Sequence, residues 1–397
     1  MTSTPLHLGI ALDGAGWHPA AWREPNSRPA DLFAPGYWTD LVADAQRGLL
    51  DYVSIDDSLA VPGVRSDPPG AVDRVRARLD AHLIAARVAP VTRHIGLIPT
   101  VTTTHTEPFH VSKSIATLDY TSRGRAGWQV RISGTAAEAG HFGRREIREA
   151  TAAQVASREF PEQVYELFEE AADAVEVARR LWDSWEDDAE IRDVATRRFI
   201  DRNKLHYIDF QGRFFSVRGP SITPRPPQGQ PVVTALAHAP LVYEFAARAA
   251  DLVFVTPGRA AGPEPILEQV ASAAARVGRA GEPLRVHADL VVFLDTDRET
   301  ASQRLARLNE SAEFLSDAAI FAGSAADLAD LLIDWSDRGI DGFRLRPGVA
   351  VDDLAAIVDR LVPALQRRGV FRTAYPDTSL RGLLGLPTTV PNRYATV

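Results

Sequence analysis

Short apolar runs alternate with amphipathic stretches along most of the chain. Runs of strand length fall at 6–12, 52–56, 94–98, 126–132, 231–236, 252–255, 285–292 and 342–346. Between them, apolar residues recur at three- and four-residue steps, which predicts helices over 38–50, 73–88, 108–121, 240–249, 264–279 and 351–368. Repeated strand–helix alternation calls for a parallel sheet. Eight such units call for a closed (β/α)8 barrel rather than an open doubly wound sheet, in one domain over 1–397.

The longest departure from this rhythm is 134–230, an insertion after the fourth strand. There Val164, Leu167, Phe168, Ala171, Val175, Ala178, Leu181, Trp182 and Trp185 keep helical spacing and predict a long helix covering the barrel. A hairpin is expected over 205–217, turning at Gln211-Gly212. Pro224, Pro226 and Pro227 stiffen the approach to the fifth strand. The 377–397 segment is punctuated by Pro and Gly and reads as an irregular tail along the barrel.

Composition narrows the function. A chain of 397 residues, 45% hydrophobic and 24% charged, can bury a large core. No apolar run reaches 18 residues, so no membrane span is expected. The first residues carry neither a basic nor an apolar leader region, which makes the cytoplasm the expected compartment. There is no cysteine, hence no disulfide, thiol nucleophile or thiolate metal site, and no His/carboxylate spacing reads as a metal site. The net charge of -8 argues against nucleic acid or anionic membranes as partners. Lys113 and Lys204 are the only lysines, and neither lies in a context that suggests Schiff-base chemistry.

The most specific segment is Leu118-Asp-Tyr-Thr-Ser-Arg-Gly-Arg-Ala-Gly-Trp128-Gln-Val-Arg-Ile-Ser133, followed by His141-Phe-Gly143. It resembles the corresponding segment of bacterial luciferase-like flavin monooxygenases. The branch in question includes nitrilotriacetate, dibenzothiophene-sulfone and pristinamycin-type monooxygenases. Further landmarks in matching order are Gly14-Ala-Gly-Trp17-His18, Tyr52-Val-Ser-Ile-Asp-Asp57-Ser58, Leu181-Trp182-Asp-Ser-Trp185 and Leu384-Gly-Leu-Pro387. The resemblance therefore spans nearly the whole chain.

It implies a luciferase-like barrel using reduced FMN from a separate NAD(P)H:flavin reductase to oxygenate a small organic substrate with O2, as a homodimer. In such an enzyme the cofactor carries the oxygen chemistry and the protein supplies binding, orientation and a water-poor cavity. The resemblance puts Asp57, Thr102, Thr103, Gln129 and Ser133 at the flavin. From the residues alone, Asp57 also reads as a helix cap and the threonines as local turn caps. His18 and His105 stand as catalytic candidates, with Trp17, Arg131 and His141 on the substrate side. Arg131 reads either as the partner of Asp56 or Asp57 in a salt bridge or as the holder of an anionic substrate.

The chain departs from the family pattern in two places. The family's Arg-Tyr phosphate element falls on Leu167 and Phe168, and its Ser- and Gly-bearing turn after the fifth strand reads Ala239 and Val242 here. Arg218, Arg225 and the Arg144-Arg145 pair are candidate replacement grips. The second departure is a short link between Leu308 and Ile320, where the family has a longer insertion over the active site. These losses open a rival reading, a flavin-free barrel acting as a binding or partner subunit. A deazaflavin-dependent hydride-transfer enzyme is the third.

Overall fold

The computed structural model describes residues 5–63, 72–157 and 160–395. Eight parallel strands close a barrel: β1 (His7–Leu12), β2 (Tyr52–Ile55), β3 (Gly96–Thr102), β4 (Gly127–Arg131), β5 (Val232–Ala237), β6 (Leu252–Val255), β7 (Arg285–Leu294) and β8 (Gly342–Pro347). β1 seals against β8 with His7 opposite Gly342, and β6 against β7 with Leu252 opposite Arg285. These are the eight runs expected from the sequence. A ninth strand, Ala319–Gly323, was not expected; it lies outside the barrel on the C-terminal half of β7.

Several boundaries move. β3 starts at Gly96 rather than 94 and continues through Pro99 to Thr102, because its last residues pair with Gln129–Arg131 of β4. Thr102 is thus part of the strand. The helix expected over 73–88 begins only at Ala81, where the Asp80 side chain accepts from the Leu83 N–H and sets the start. The segment before it runs irregularly along the cavity described below. In the hairpin Phe210–Gln211 pairs with Ser216–Val217, Ile208 bonds to the Arg218 carbonyl beyond them, and the turn spans 212–215 rather than Gln211-Gly212. The long insertion helix is Glu162–Asp183, its buried face including Leu167, Ala171, Val175, Ala178 and Trp182. Trp185 lies just beyond its end and donates from its indole to the Ser221 carbonyl.

The tail closes the barrel floor. Leu380, Leu384 and Leu386 insert among Tyr52, Ile98, Val232, Leu252 and Phe254 at the N-terminal ends of the strands. Gly127 makes room for this plug: a Cβ there would lie 2.9 Å from Ile98 and 3.1 Å from Leu380.

The signature segment is largely devoted to the same end of the barrel. Trp128 is buried, with its indole N–H on the Val101 carbonyl. Asp119 accepts from the Ala126 and Gln228 N–H groups and from the Gln228 side chain. Burial pushes the Asp119 carboxyl up to about 6 despite those donors. Its proton is then held more tightly in the folded chain, so its contribution to stability is fullest below about pH 4. That contribution is lost as pH rises through about 6. Asp119→Asn removes this dependence. The difference in melting temperature between wild type and variant is expected to change steadily from pH 4.5 to 6.5; a constant difference contradicts it.

Candidate active site

A cavity of about 490 Å³ opens at the C-terminal ends of the strands, the end where this architecture carries its chemistry. Its walls come from the loops after β1 and β2, the irregular segment before Ala81, Arg131 at the end of β4, and the 313–317 link. The apolar lining includes Trp17, Trp22, Val75 and Phe314. On one side Arg78 joins Asp13 at 2.9 Å and Asp56 at 3.3 Å, and Arg131 reaches Asp56 at 3.6 Å. Burial raises the Asp13 carboxyl above its usual range, opposed by Arg78.

Beneath the cavity the barrel interior carries a charged ladder. Arg344 donates to Asp289 at 2.7 Å and to Gln129, and its guanidinium lies 3.7 Å over the Phe254 ring. Arg346 shares Asp289, reaches Asp317 at 2.6 Å and stacks 4.5 Å over Trp17. Asp317 also meets His238 at 3.1 Å. The ladder holds Trp17 from behind, while the Trp17 indole donates to the Ala11 carbonyl. A side chain fixed on two sides makes a rigid wall for a planar ligand.

The candidate residues separate into groups. Trp17, His18 and Arg131 line the cavity. The His18 Nδ1 accepts from the Ala20 N–H and its Nε2 meets the Asn309 amide oxygen, so both nitrogens are occupied and the proton sits on Nε2. Burial lowers its pKa, keeping it neutral. Its ring packs 5.2 Å from Phe314, whose N–H donates to the same Asn309 oxygen. His18 therefore anchors the short link, which supplies part of the cavity wall instead of leaving that side bare.

The others sit elsewhere. Asp57 turns back to accept from the Ser58 and Ala81 N–H groups, the capping geometry, and its carboxyl is pushed up to about 6 by burial. Its neighbour Asp56 faces the cavity. The Thr103 hydroxyl donates to the Arg131 carbonyl, and the Thr102 carbonyl accepts from Thr106. Gln129 is bonded to Arg344 inside the barrel. Ser133 donates to Glu138 at 2.7 Å. His141 is exposed on the helix Ala136–Phe142. Arg131, in the cavity wall, makes the expected ion pair with Asp56 and adds a bond to the Asp57 carbonyl.

His105 stands apart. It is 7% exposed, holds a left-handed backbone at φ 68°, and stacks 4.8 Å from Phe142. Neither ring nitrogen has a hydrogen-bond partner among the described residues. Asp13, Arg78 and Phe314 carried no expected role; Asp56 was expected only as a partner of Arg131. An acid at the end of a barrel strand could have flagged Asp13; nothing local marks Arg78.

At the expected phosphate element, Leu167 is buried with Ala139 and Ile147, and Phe168 packs against Phe245 at 5.6 Å. Pro240 opens the helix after β5, so that position offers no N–H. Of the replacement grips, Arg225 is held by Asp183 and Asp187, Arg218 lies over Tyr207, Arg144 meets Glu107 at 3.4 Å, and Arg145 is bidentate to Glu170 at 2.6 and 2.7 Å.

An eight-stranded parallel barrel with a polar-floored cavity at its C-terminal end defines an enzyme-type (β/α)8 protein. The luciferase-like monooxygenase family model matches residues 15–342. The chain belongs to that family. It is 30% identical to N-acetyl-S-(2-succino)cysteine monooxygenase of Bacillus subtilis, covering 98% of both chains. It is 29% identical to nitrilotriacetate monooxygenase component A of Aminobacter aminovorans, covering 96% of each. The crystal structure of a long-chain alkane monooxygenase superposes with a TM-score of 0.84 at 24% identity, over 97% of this chain and 96% of that one. Among the described residues no helix is long and apolar enough to cross a membrane. No group of three or more His, Asp or Glu among them is placed to hold a metal ion.

Proposed function

We propose that this protein is the oxygenase component of a two-component, flavin-dependent monooxygenase acting on a small organic molecule. A reductase partner would deliver the reduced flavin. The observation that carries this reading is the aromatic-walled cavity at the strand ends of a barrel that belongs to this family. One atom of O2 would enter the substrate and the other leave as water, with two electrons from the reduced flavin. The chain's own part is to bind and orient. Trp17, braced by Arg346, offers a flat wall; Phe314 and Trp22 add apolar surface to it; neutral His18 holds the link in place.

The lining suits the ring and polyol chain of a flavin, and about 490 Å³ is within the usual range for a small-molecule site. The phosphate of FMN is the part these residues do not fit, since Leu167, Phe168 and Pro240 offer it no donor and Arg145 is already paired. That misfit favours one rival, a barrel that binds no flavin. Anaerobic titration with reduced flavin, followed by tryptophan fluorescence, separates the two. Binding in the micromolar range, weakened about tenfold in Trp17→Ala, is expected. Absence of binding at about 100 µM would favour the flavin-free subunit. A homodimer in the cytoplasm completes the proposal.

A further inference from the structure

Each arginine in the described part of the cavity wall already faces a carboxylate. Arg78 is held by Asp13 and Asp56, Arg131 by Asp56, and Arg74 lies 3.9 Å from Asp73. Glu138, Glu313 and Asp317 line the same cavity, so its carboxylates outnumber its guanidiniums. Glu138 is met by neutral donors, the Leu59 N–H and the Ser133 and Thr135 hydroxyls. An anionic substrate entering here would lose its water and meet surplus negative charge, with no guanidinium to replace that water.

The opening of the cavity is apolar. Phe33, Val61, Leu79 and Leu315 line it and are exposed, Leu315 at 83% and Phe33 at 51%. They come from four separate stretches of chain, which the barrel brings to one opening. Exposed apolar side chains gathered in this way mark a binding surface. All four line the cavity itself, which suits a small molecule entering it better than a protein lying across it. Resting on the flavin reading above, we infer that the substrate is an uncharged molecule with an extended apolar body. Phe33, Val61, Leu79 and Leu315 would hold that body at the opening while the flavin lies against Trp17. The paired Arg78 and Arg131 would not serve a substrate carboxylate.

The test is calorimetric titration of the full chain with three probes: 1-octanol, octanoate of the same length, and nitrilotriacetate, a tricarboxylate. Each is run anaerobically with and without reduced FMN. 1-Octanol is expected to bind at least about tenfold tighter than octanoate, and nitrilotriacetate not at all up to about 1 mM. Replacing the exposed Phe33 and Leu315 together by serine is expected to weaken 1-octanol by about fivefold or more, through lost apolar burial. Asp56→Asn removes a carboxylate from Arg78 and Arg131. It is expected to narrow the gap between octanol and octanoate by about threefold or more, roughly the worth of one partly exposed ion pair. Octanoate or nitrilotriacetate binding as tightly as 1-octanol overturns the inference and leaves the flavin reading standing. Unchanged octanol affinity in the serine variant overturns the role of the opening and leaves it to a protein partner. A gap unmoved by Asp56→Asn overturns the paired charges as the cause of the selectivity. No binding of reduced FMN, with 1-octanol still preferred, overturns the flavin reading and keeps the opening as a site for uncharged ligands.

Discussion

Asp289→Ala is expected to destabilise the protein by about 3–5 kcal/mol, the usual cost of breaking a buried ion pair from one side. Asp289 is fully buried and bridges Arg344 and Arg346, both also buried. Its loss leaves two guanidiniums in the barrel with Gln129 and Asp317 as their remaining polar side-chain partners. The cost arises from stranded charge rather than from lost volume. Replacing Asp289, Arg344 and Arg346 together by apolar residues of similar size should therefore cost less than Asp289→Ala alone. Urea unfolding followed by circular dichroism measures both. A loss under about 1 kcal/mol in the single variant would mean that the guanidiniums find other partners. Since Arg346 also braces Trp17, flavin affinity should fall with stability in the single variant.

Arg125→Met is the second large effect, expected at about 3 kcal/mol or more. The Arg125 guanidinium donates five hydrogen bonds, to the carbonyls of Ser122, Ile95, Ala89 and Thr92 and to the Thr92 hydroxyl. Methionine fills similar space and leaves those acceptors buried without that donor. Arg125→Lys should rescue little, because an ammonium has three donors and no planar fork. At a temperature where the variant stays folded, flavin affinity should match wild type, since Arg125 ties the N-terminal end of the barrel and the cavity lies at the other. A large drop in affinity without a drop in stability would reverse that assignment.

The signature segment serves the fold more than the cavity. Its resemblance to a family pattern pointed to the cofactor, yet most of its polar side chains build the barrel. Asp119 and Arg125 knit the floor, Gly127 admits the tail plug, and Gln129 serves the internal ladder. Arg131, at the C-terminal end of the same strand, is the residue of this segment that reaches the cavity. A motif identifies a fold through residues that fold it, and those need not touch a ligand.

The eight barrel strands, the insertion helix and the family were all legible in the chain. They rest on local periodicity and on residue order, which survive without knowledge of contacts. The tail motif was legible as a landmark but not as a plug, because its leucines find their partners only once the strands are assembled. Tertiary structure alone decided which charges meet. Arg78 finds Asp13 across 65 positions, Arg344 finds Gln129 across 215, and Arg145 finds Glu170 across the insertion. It also decided that Asp56 faces the cavity while Asp57 caps a helix, two adjacent carboxylates with opposite directions. Periodicity reports which face a residue prefers. Pairing between side chains far apart in sequence depends on how closed strands place them, and no local pattern encodes that distance.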